Sequence, residues 1–239
     1  MLSLSVLPLG LASPPAVRRA NVQLVAADFF ETAAWKTLEI ELDTMPMFAI
    51  VDDNGSPLQS EVGGRRSMLF FSDVKDASYQ LGQVRDEYPD LNLDIKPTGL
   101  GSAWKAQAAG DAILVPSTSE LQAAGVEVSA DQPLVSSQGL PAFACMELES
   151  MRADGTPCIP LFMSKADAQA AVAETSPDVR SSPETLLAPP KPLEISTVSL
   201  DVAIEQVVTV EDSPDFRFIA SSESVEAIRI AMRAGGAEV

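Results

Sequence analysis

The sequence predicts an α+β protein made of two pseudo-symmetric repeats, each a β-hairpin followed by a helix, which form mixed sheets backed by helices. The first observation is a long internal similarity. The stretch at 45–81, MPMFAIVDDNGSPLQSEVGGRRSMLFFSDVKDASYQL, returns in altered form at 139–172 as GLPAFACMELESMRADGTPCIPLFMSKADAQAAV. Both contain Pro-x-Phe-Ala, a Gly-x-Pro turn and an apolar Leu-Phe run before an Asp-Ala pair. A repeat of this length indicates duplication of one folding unit.

The second observation is that each copy has the pattern of strands followed by a helix. In the first copy, Asn54-Gly55 lies between two apolar segments and is the pair that a tight hairpin turn with positive φ selects. Ser72 then suits a helix N-cap. Apolar residues follow at spacings of three and four and predict one amphipathic helix: Val74, Ala77, Leu81, Val84 and Tyr88.

The second copy follows the same pattern. Phe143, Cys145 and the CIPLFM run predict strands, with Asp154-Gly155 at the turn. Ser164 and Asp167 have the spacing of a capping box, with Asp in place of the usual Glu or Gln. These signals predict the same hairpin and helix as in the first copy.

Between the copies, LNLDI alternates as a strand does, and AILVPSTSEL predicts a strand that ends at Pro116. A short helix is expected to begin at Ser117, with Glu120 three residues further on. We assign repeat one to about 45–130 and repeat two to about 131–175, which together form a duplicated core over 45–175.

The flanking segments differ in composition from this core. Residues 1–44 are expected to be an irregular N-terminal arm or the remnant of a presequence, because residues 1–27 contain Arg18-Arg19 and no acid. Residues 176–192 contain five prolines and indicate a linker. Residues 193–239 predict a strand, a helix, a strand and a helix that complete the core.

Charge and composition exclude several classes of function. Sixteen basic and 34 acidic residues give a formal net charge of −18, which repels phosphate backbones and favours basic partners, so no nucleic-acid partner is expected. The chain has no histidine, which removes the usual general base, the Ser-His-Asp and Cys-His constellations and the commonest zinc ligand. We therefore predict a protein that is not an enzyme. A carboxylate-based hydrolase stays open, although no pair of acids is nominated.

No cofactor, metal or membrane span is expected. GLGSAW at 99–104 has Trp104 where a dinucleotide loop needs its third glycine, and is interpreted as a loop packed by an aromatic residue. Cys145 and Cys158 are too few for a disulfide framework and predict two buried thiols, with a disulfide across the hairpin as the alternative. No apolar run reaches the ~18 residues that span a bilayer, so any membrane association is expected to be peripheral.

Apolar residues of the two repeats are the candidate binding residues. Methionine adapts to varied apolar partners, and one hairpin with one helix leaves part of a sheet face uncovered. Core packing is the competing interpretation for these side chains. The residues nominated for binding are Phe48, Phe71, Phe143, Phe162, Met47 and Met163.

Several motifs follow one another in a characteristic order: Pro46-Met47-Phe48 before Gly55-x-Pro57, LFFS with Asp76-Ala77, ILVPSTSEL, GLPAF and IPLFMSKADA. Taken in this order, they resemble the Tic-twenty-two family, soluble components of the chloroplast import translocon with cyanobacterial relatives. The segment from LEISTVSLDVAIEQVV to FRFIASSES is similar to the C-terminal part of that family, with Ala220 where proline is expected. The resemblance covers about 45–175 and 193–224. The proline-rich insertion and the long N-terminal segment depart from it.

This resemblance implies a duplicated α+β fold with apolar grooves and a non-enzymatic role in escorting preproteins. It also implies a plastid location, in the intermembrane space, in the stroma or at the thylakoid. The expected partners are other proteins, either preproteins or subunits of a plastid membrane complex. The alternative function is a peripheral structural subunit of such a complex, for example a photosystem supercomplex, docked by residues 1–44 and 176–192.

Overall fold

After the first helix, secondary structure follows the same order in the two halves of the chain. The computed structural model describes residues 28–62, 64–128, 139–175, 193–210 and 215–235. The first half contains α1 (Ala33–Leu42), β1 (Pro46–Val51), β2 (Gln59–Val62), β3 (Arg65–Phe71), α2 (Val74–Glu87), β4 (Asp94–Gly99), α3 (Leu100–Ala108), β5 (Ala112–Val115) and α4 (Thr118–Ala123). The second half contains β6 (Pro141–Ala144), β7 (Ser150–Met151), β8 (Pro157–Phe162), α5 (Lys165–Thr175), β9 (Ser196–Ser199), α6 (Leu200–Thr209), β10 (Phe216–Ile219) and α7 (Ser222–Gly235).

The two sheets have the same strand pairing. In the first, β1 and β3 pair antiparallel, β4 flanks β1 antiparallel and β5 flanks β3 in parallel. In the second, β6, β8, β9 and β10 take the places of β1, β3, β4 and β5. The short β2 and β7 pair with the beginnings of β3 and β8. The predicted α+β class with two pseudo-symmetric repeats and mixed sheets is confirmed.

The second repeat is longer than the sequence suggested. β9, α6, β10 and α7 correspond to β4, α3, β5 and α4, so repeat two continues past 175 to the C-terminal helix. The same backbone hydrogen bond is present where α3 begins in repeat one and where α6 begins in repeat two. Leu100 N donates to Met45 O, and Leu200 N donates to Leu140 O, each at 2.9 Å. The segment from β4 to α4 and the segment from β9 to α7 share few identical residues. The repeat is therefore visible in the sequence of the hairpins but not in the sequence that follows them. Residues 176–192, the predicted linker, lie outside the described residues.

Three buried apolar clusters hold the repeats together. The central cluster contains residues of both sheets and of α1, α3 and α6. The second lies between β1, β3 and α2 and also contacts Ala227 and Ile228 of α7. The third lies between β6, β8 and α5 and contacts Ala123 of α4 and the C-cap residue Ala124. Because α4 and α7 each pack on the sheet of the other repeat, the two repeats form one body.

Residues 28–44 differ from the irregular arm predicted for 1–44. Phe29–Glu31 form a 3-10 turn, and α1 follows with Thr32 as its N-cap. Trp35 is fully buried, and its ring centroid lies 5.2 Å from that of Trp104. The large apolar area that these aromatic rings bury explains why this segment is ordered against the core. Residues 1–27, for which a presequence remnant or an arm was predicted, lie outside the described residues.

The predicted turns form, but the first hairpin is more complex than expected. Gly55 and Gly155 have φ of +78° and +85°, the conformation that selects glycine at these turns. The short β2 intervenes between the first turn and β3. Cys145 and Cys158 are buried free thiols, as predicted. Among the helices described here, none has the length and apolar character needed to cross a membrane.

Candidate functional site

A cleft of about 140 Å³ lies where the two repeats meet. Of the described residues, seven serines belong to its lining, and no lysine or arginine does. The apolar part of the lining comes from both repeats and includes Met47 of the first and Met163 of the second. A cavity of this size accepts one side chain or a molecule of about the size of benzene. The four carboxylates that line it belong to Asp73, Glu120, Asp167 and Glu223.

The cleft forms where α2, α4, α5 and α7 begin, and carboxylates link these helix ends within each repeat. In repeat one, Thr118 N at the start of α4 donates to Asp76 Oδ2 of α2 at 2.9 Å. In repeat two, Ser222 N and Oγ at the start of α7 donate to Asp167 of α5 at 2.8 and 2.7 Å. Asp76 and Asp167 are the matched acids of the repeated Asp-Ala pair. Their shared role is to cap the last helix of their own repeat.

Two further contacts join the repeats around the cleft. Lys165 N, at the start of α5, donates to Glu120 Oε2 of α4 at 3.0 Å. Lys75 of α2 forms an ion pair with Glu223 of α7. The side chains of both members of this ion pair are more than half exposed, so it contributes little to stability. Together the contacts make a closed ring from α2 through α4, α5 and α7 back to α2.

The α4 helix begins after Ser117 as predicted, but other helix caps differ from those that the sequence predicted. The N-cap of α2 is Asp73, which accepts from Lys75 N, and not Ser72. Glu120 does not close a capping box on its own helix, because its carboxylate caps α5 instead. Ser164 is 8% exposed and lines the cleft, and its hydroxyl takes part in none of the side-chain hydrogen bonds between the described residues. Short-range spacing identified the right acids but assigned them to the wrong helix ends.

Burial raises the pKa of two carboxyl groups that lie at contacts within and between the repeats. Burial raises the pKa of Asp76, and the hydrogen bond from Thr118 N partly opposes the shift. Burial also raises the pKa of Asp201, which is 5% exposed at the start of α6. Asp201 Oδ1 accepts a hydrogen bond from Trp104 Nε1 of α3 at 2.8 Å, so this buried contact joins the two repeats.

Sequence reasoning missed the contacts made by Asp201 and by Asp43. The sequence predicts a loop around Trp104, but GLGSAW instead begins α3. Asp43 Oδ1 accepts a hydrogen bond from Ser102 N, in the first turn of α3, at 2.9 Å. A Cβ on Gly99 would lie 2.1 Å from Asp43 Oδ1, which explains the glycine there. The available signal was the Gly-x-Gly pair itself, which marks close approach of a side chain to the backbone as well as cofactor loops.

The six nominated binding residues occupy three different places. Phe48 and Phe71 are buried beneath α2 in the second cluster. Phe143 and Phe162 are buried beneath α5 in the third cluster. Met47 is 1% exposed in the central cluster and Met163 is half-buried, and these two methionines both line the cleft. The role of the six residues in binding a partner stays a prediction.

A second, smaller depression of about 20 Å³ lies between the first sheet and α2. Phe71 contributes to it, together with Leu58, Leu69 and Val84. Its apolar lining is of the kind expected for a groove, but its volume is below that of a single large side chain. The cleft between the repeats is therefore the better candidate for binding. Among the residues described, no group of three or more acidic or cysteine side chains is arranged to hold a metal ion.

The fold is similar to that of two solved structures over most of the chain. No family model matches the sequence, and no curated protein matches it. Tic22 from Plasmodium falciparum has a TM-score of 0.64 and 21% identity, with 82% of this chain and 98% of that chain covered. Anabaena Tic22, described as a protein-transport protein, has a TM-score of 0.60 and 16% identity, with 83% and 98% covered. The resemblance to the Tic-twenty-two family is thereby confirmed at the level of the fold, and the chain has a Tic22-like α+β structure.

Proposed function

We propose that this chain is a non-enzymatic protein-transport component of a plastid, which holds extended segments of preproteins. The observation that supports this most strongly is the fold similarity to two Tic22 structures over 82% and 83% of the chain, one of them described as a protein-transport protein. The partners are other proteins, met at or near a membrane to which the chain associates peripherally.

The physical properties of the surface and the cleft fit such a partner. A formal charge of −18 raises the rate of encounter with basic segments. At the cleft, methionines of both repeats offer an adaptable apolar contact, and hydroxyls offer hydrogen bonds that do not depend on one sequence. One side-chain-sized cleft supplies modest affinity and limited selectivity. Those are the properties that a protein handling many different clients needs.

The alternative of a structural subunit rests on residues 1–44 and 176–192 as docking segments. Residues 29–42 are used within the chain itself, because Phe29, Trp35 and Leu42 belong to the central cluster. Of the remaining docking residues, 1–27 and 176–192 lie outside the described part of the chain. No specific observation favours this alternative, so the transport role is the function we propose.

Filling the cleft tests the proposal. Met163→Trp places a large side chain in the cleft, and Met151→Trp is the matched control because Met151 is 63% exposed on β7 and does not line it. We expect Met163→Trp to raise the Kd for a fluorescein-labelled peptide of alternating leucine, serine and arginine by about ten-fold, or about 1.4 kcal/mol, and the control to leave it unchanged. Fluorescence anisotropy measures the Kd, and far-UV circular dichroism checks the fold.

Met163→Gln provides a second test that adds no volume. Losing the apolar contact is expected to weaken binding by about 0.8 kcal/mol, the free energy of burying one methylene group, and this raises the Kd by roughly three- to five-fold. Equal affinity of all the variants for the peptide would show that the cleft takes no part in binding. Absence of peptide binding by the unaltered chain would contradict the transport role itself.

A further inference from the structure

The outer strands of the two sheets are protected unequally. Apart from the short β2 and β7, β4 and β5 flank the β1–β3 pair of the first sheet, and β9 and β10 flank the β6–β8 pair of the second. An outer strand presents unpaired backbone N–H and C=O groups that can template the addition of another strand. Proteins block such edges with proline, lysine or side chains that occupy the free groups.

The edge of β4 is blocked by its own sequence. Pro97 lies opposite Phe48 in the pairing with β1, and proline has no N–H to donate. A paired strand tolerates proline only where the N–H would face away from its neighbour, so the odd-numbered residues of β4 face the outer edge. Ile95 confirms this direction, because its N–H bonds to the side chain of Asp94 at 2.8 Å rather than to β1. Lys96 adds an exposed charge at the same edge.

Side chains from helices and turns occupy the outer edges of β5 and β10. Leu114 N of β5 donates to Gln107 Oε1 of α3 at 2.9 Å. At the matching position of β10, Phe218 N donates to Glu41 Oε1 of α1 at 2.8 Å. Arg152 also donates to the carbonyl of Phe216, at 2.6 Å. Three of these four outer edges therefore carry a specific block.

β9 lacks the features that close β4. Thr197 lies opposite Phe143 as Pro97 lies opposite Phe48, so its N–H and C=O face the outer edge. Ser196 takes the place of Lys96, and both Ser196 and Thr197 are exposed. Among hydrogen bonds between the described residues, none occupies the outer side of β9. With respect to the described residues, the duplication thus left an open edge in one repeat and a closed edge in the other.

We propose that the outer edge of β9 is a docking site to which an extended, basic segment of a client polypeptide adds as a further strand. The occupant must be extended because the edge offers backbone groups, and it is expected to be basic because the chain carries a net charge of −18 and Glu194 is exposed beside β9. Backbone pairing is independent of the client's side chains, which suits a protein with many clients. The inference rests on the proposed function and adds the place and the mode of contact.

Thr197→Pro is the direct test, because it copies the block that Pro97 provides and leaves the pairing with β6 intact. The probe is an acetylated and amidated peptide of alternating arginine and valine. Loss of one backbone hydrogen bond is expected to raise its Kd by roughly three- to ten-fold, measured by fluorescence anisotropy. Pro97→Thr is the matched control, made in the other repeat, and is expected to bind the peptide at least as well as the unaltered chain.

A second measurement does not depend on any variant folding. The same peptide with N-methylated backbone amides cannot donate to a strand edge, so it should bind the unaltered chain at least three-fold more weakly. Amide hydrogen exchange at Thr197 should be fast in the free protein and slowed by the unmethylated peptide.

Three results would overturn the inference. Equal binding of both peptides to the unaltered chain and to Thr197→Pro would remove the edge as the contact and leave the transport role standing. Binding of neither peptide would count against both. An amide of Thr197 that is already protected in the free protein would assign the edge to another occupant: a second copy if the protection depends on protein concentration, and another segment of this chain if it does not.

Discussion

The buried hydrogen bond between Asp201 and Trp104 gives the most informative test of how the two repeats are joined. Asp201 lies at the start of α6 and is 5% exposed, and Trp104 of α3 is fully buried. Burial disfavours the charged carboxylate and raises its pKa above the ordinary value of 3.8, while the indole N–H partly compensates. The perturbation we choose is Asp201→Asn, which removes the charge and keeps an acceptor for the indole.

The sign of the effect follows from linkage. Because the pKa of Asp201 is raised in the folded state, the folded chain holds this proton more tightly than the unfolded chain does. The destabilising effect of the buried charge is therefore complete above the folded pKa, and it disappears as pH falls through that pKa toward 3.8. Asp201→Asn should match or exceed the unaltered chain in stability at about pH 8, and this advantage should vanish toward about pH 4.

Asp201→Leu supplies the magnitude of the hydrogen bond. This variant also removes the charge, but it leaves the indole N–H of Trp104 buried without a partner, which costs about 1–3 kcal/mol. The difference between the two variants isolates the hydrogen bond from the charge. Urea denaturation followed by tryptophan fluorescence and by circular dichroism, repeated at several pH values, measures both quantities.

A particular outcome would refute this reasoning. If Asp201→Asn lost more than about 2 kcal/mol at about pH 8 and this loss disappeared as pH fell, the carboxylate charge would be favourable where it lies. A difference between the two chains that did not change with pH would show that burial does not penalise the charge. An equal loss for the Asn and Leu variants would show that the contact with Trp104 carries no energy of its own.

Two further predictions concern the core and the helix caps. Phe143→Ala empties a fully buried site and should lower the free energy of unfolding by about 3–5 kcal/mol. Met151→Ala, at a site 63% exposed, should change it by no more than about 0.5 kcal/mol. Urea midpoints measure both effects, and near-equal values would contradict the buried placement of Phe143. Asp167→Ala removes the two hydrogen bonds that Ser222 donates to Asp167, and it should lower the free energy of unfolding by about 1 kcal/mol. The substitution should also speed up amide exchange in the first turn of α7 more than in α2. Unchanged exchange in the first turn of α7 would argue against the cap.

The repeat, the turns and the thiols could be predicted because each depends on residues close in sequence. Asn54-Gly55 and Asp154-Gly155 select their turns whatever surrounds them. Asp76 and Asp167 could be paired from the repeat alone, but their partners Thr118 and Ser222 lie 42 and 55 residues away along the chain. A carboxylate near a helix start suits its own helix or a neighbour equally well, and only the tertiary arrangement decides.

The order of residues 28–44 could not be predicted for a different reason. Trp35 and Leu42 bury themselves against α3 and α6, and nothing near them in sequence indicates that surface. The same limit applies to α4 and α7, whose contacts with the opposite repeat appear in the sequence only as ordinary apolar positions. Periodicity shows that a helix has an apolar face and does not show which sheet covers it.

The nominated phenylalanines show why duplication matters to the proposed function. Phe48 and Phe143 occupy matching strands, and each fills the space beneath the helix of its own repeat. Their repetition therefore reflects the same packing requirement in both copies. A site that binds a partner can arise where the copies differ or meet. Their meeting forms the cleft with Met163 in its lining, and their divergence leaves Thr197 where the other copy has Pro97. Binding by this chain is therefore expected to be sensitive to changes at these interrepeat and unmatched positions, while changes at the matched phenylalanines should act through stability.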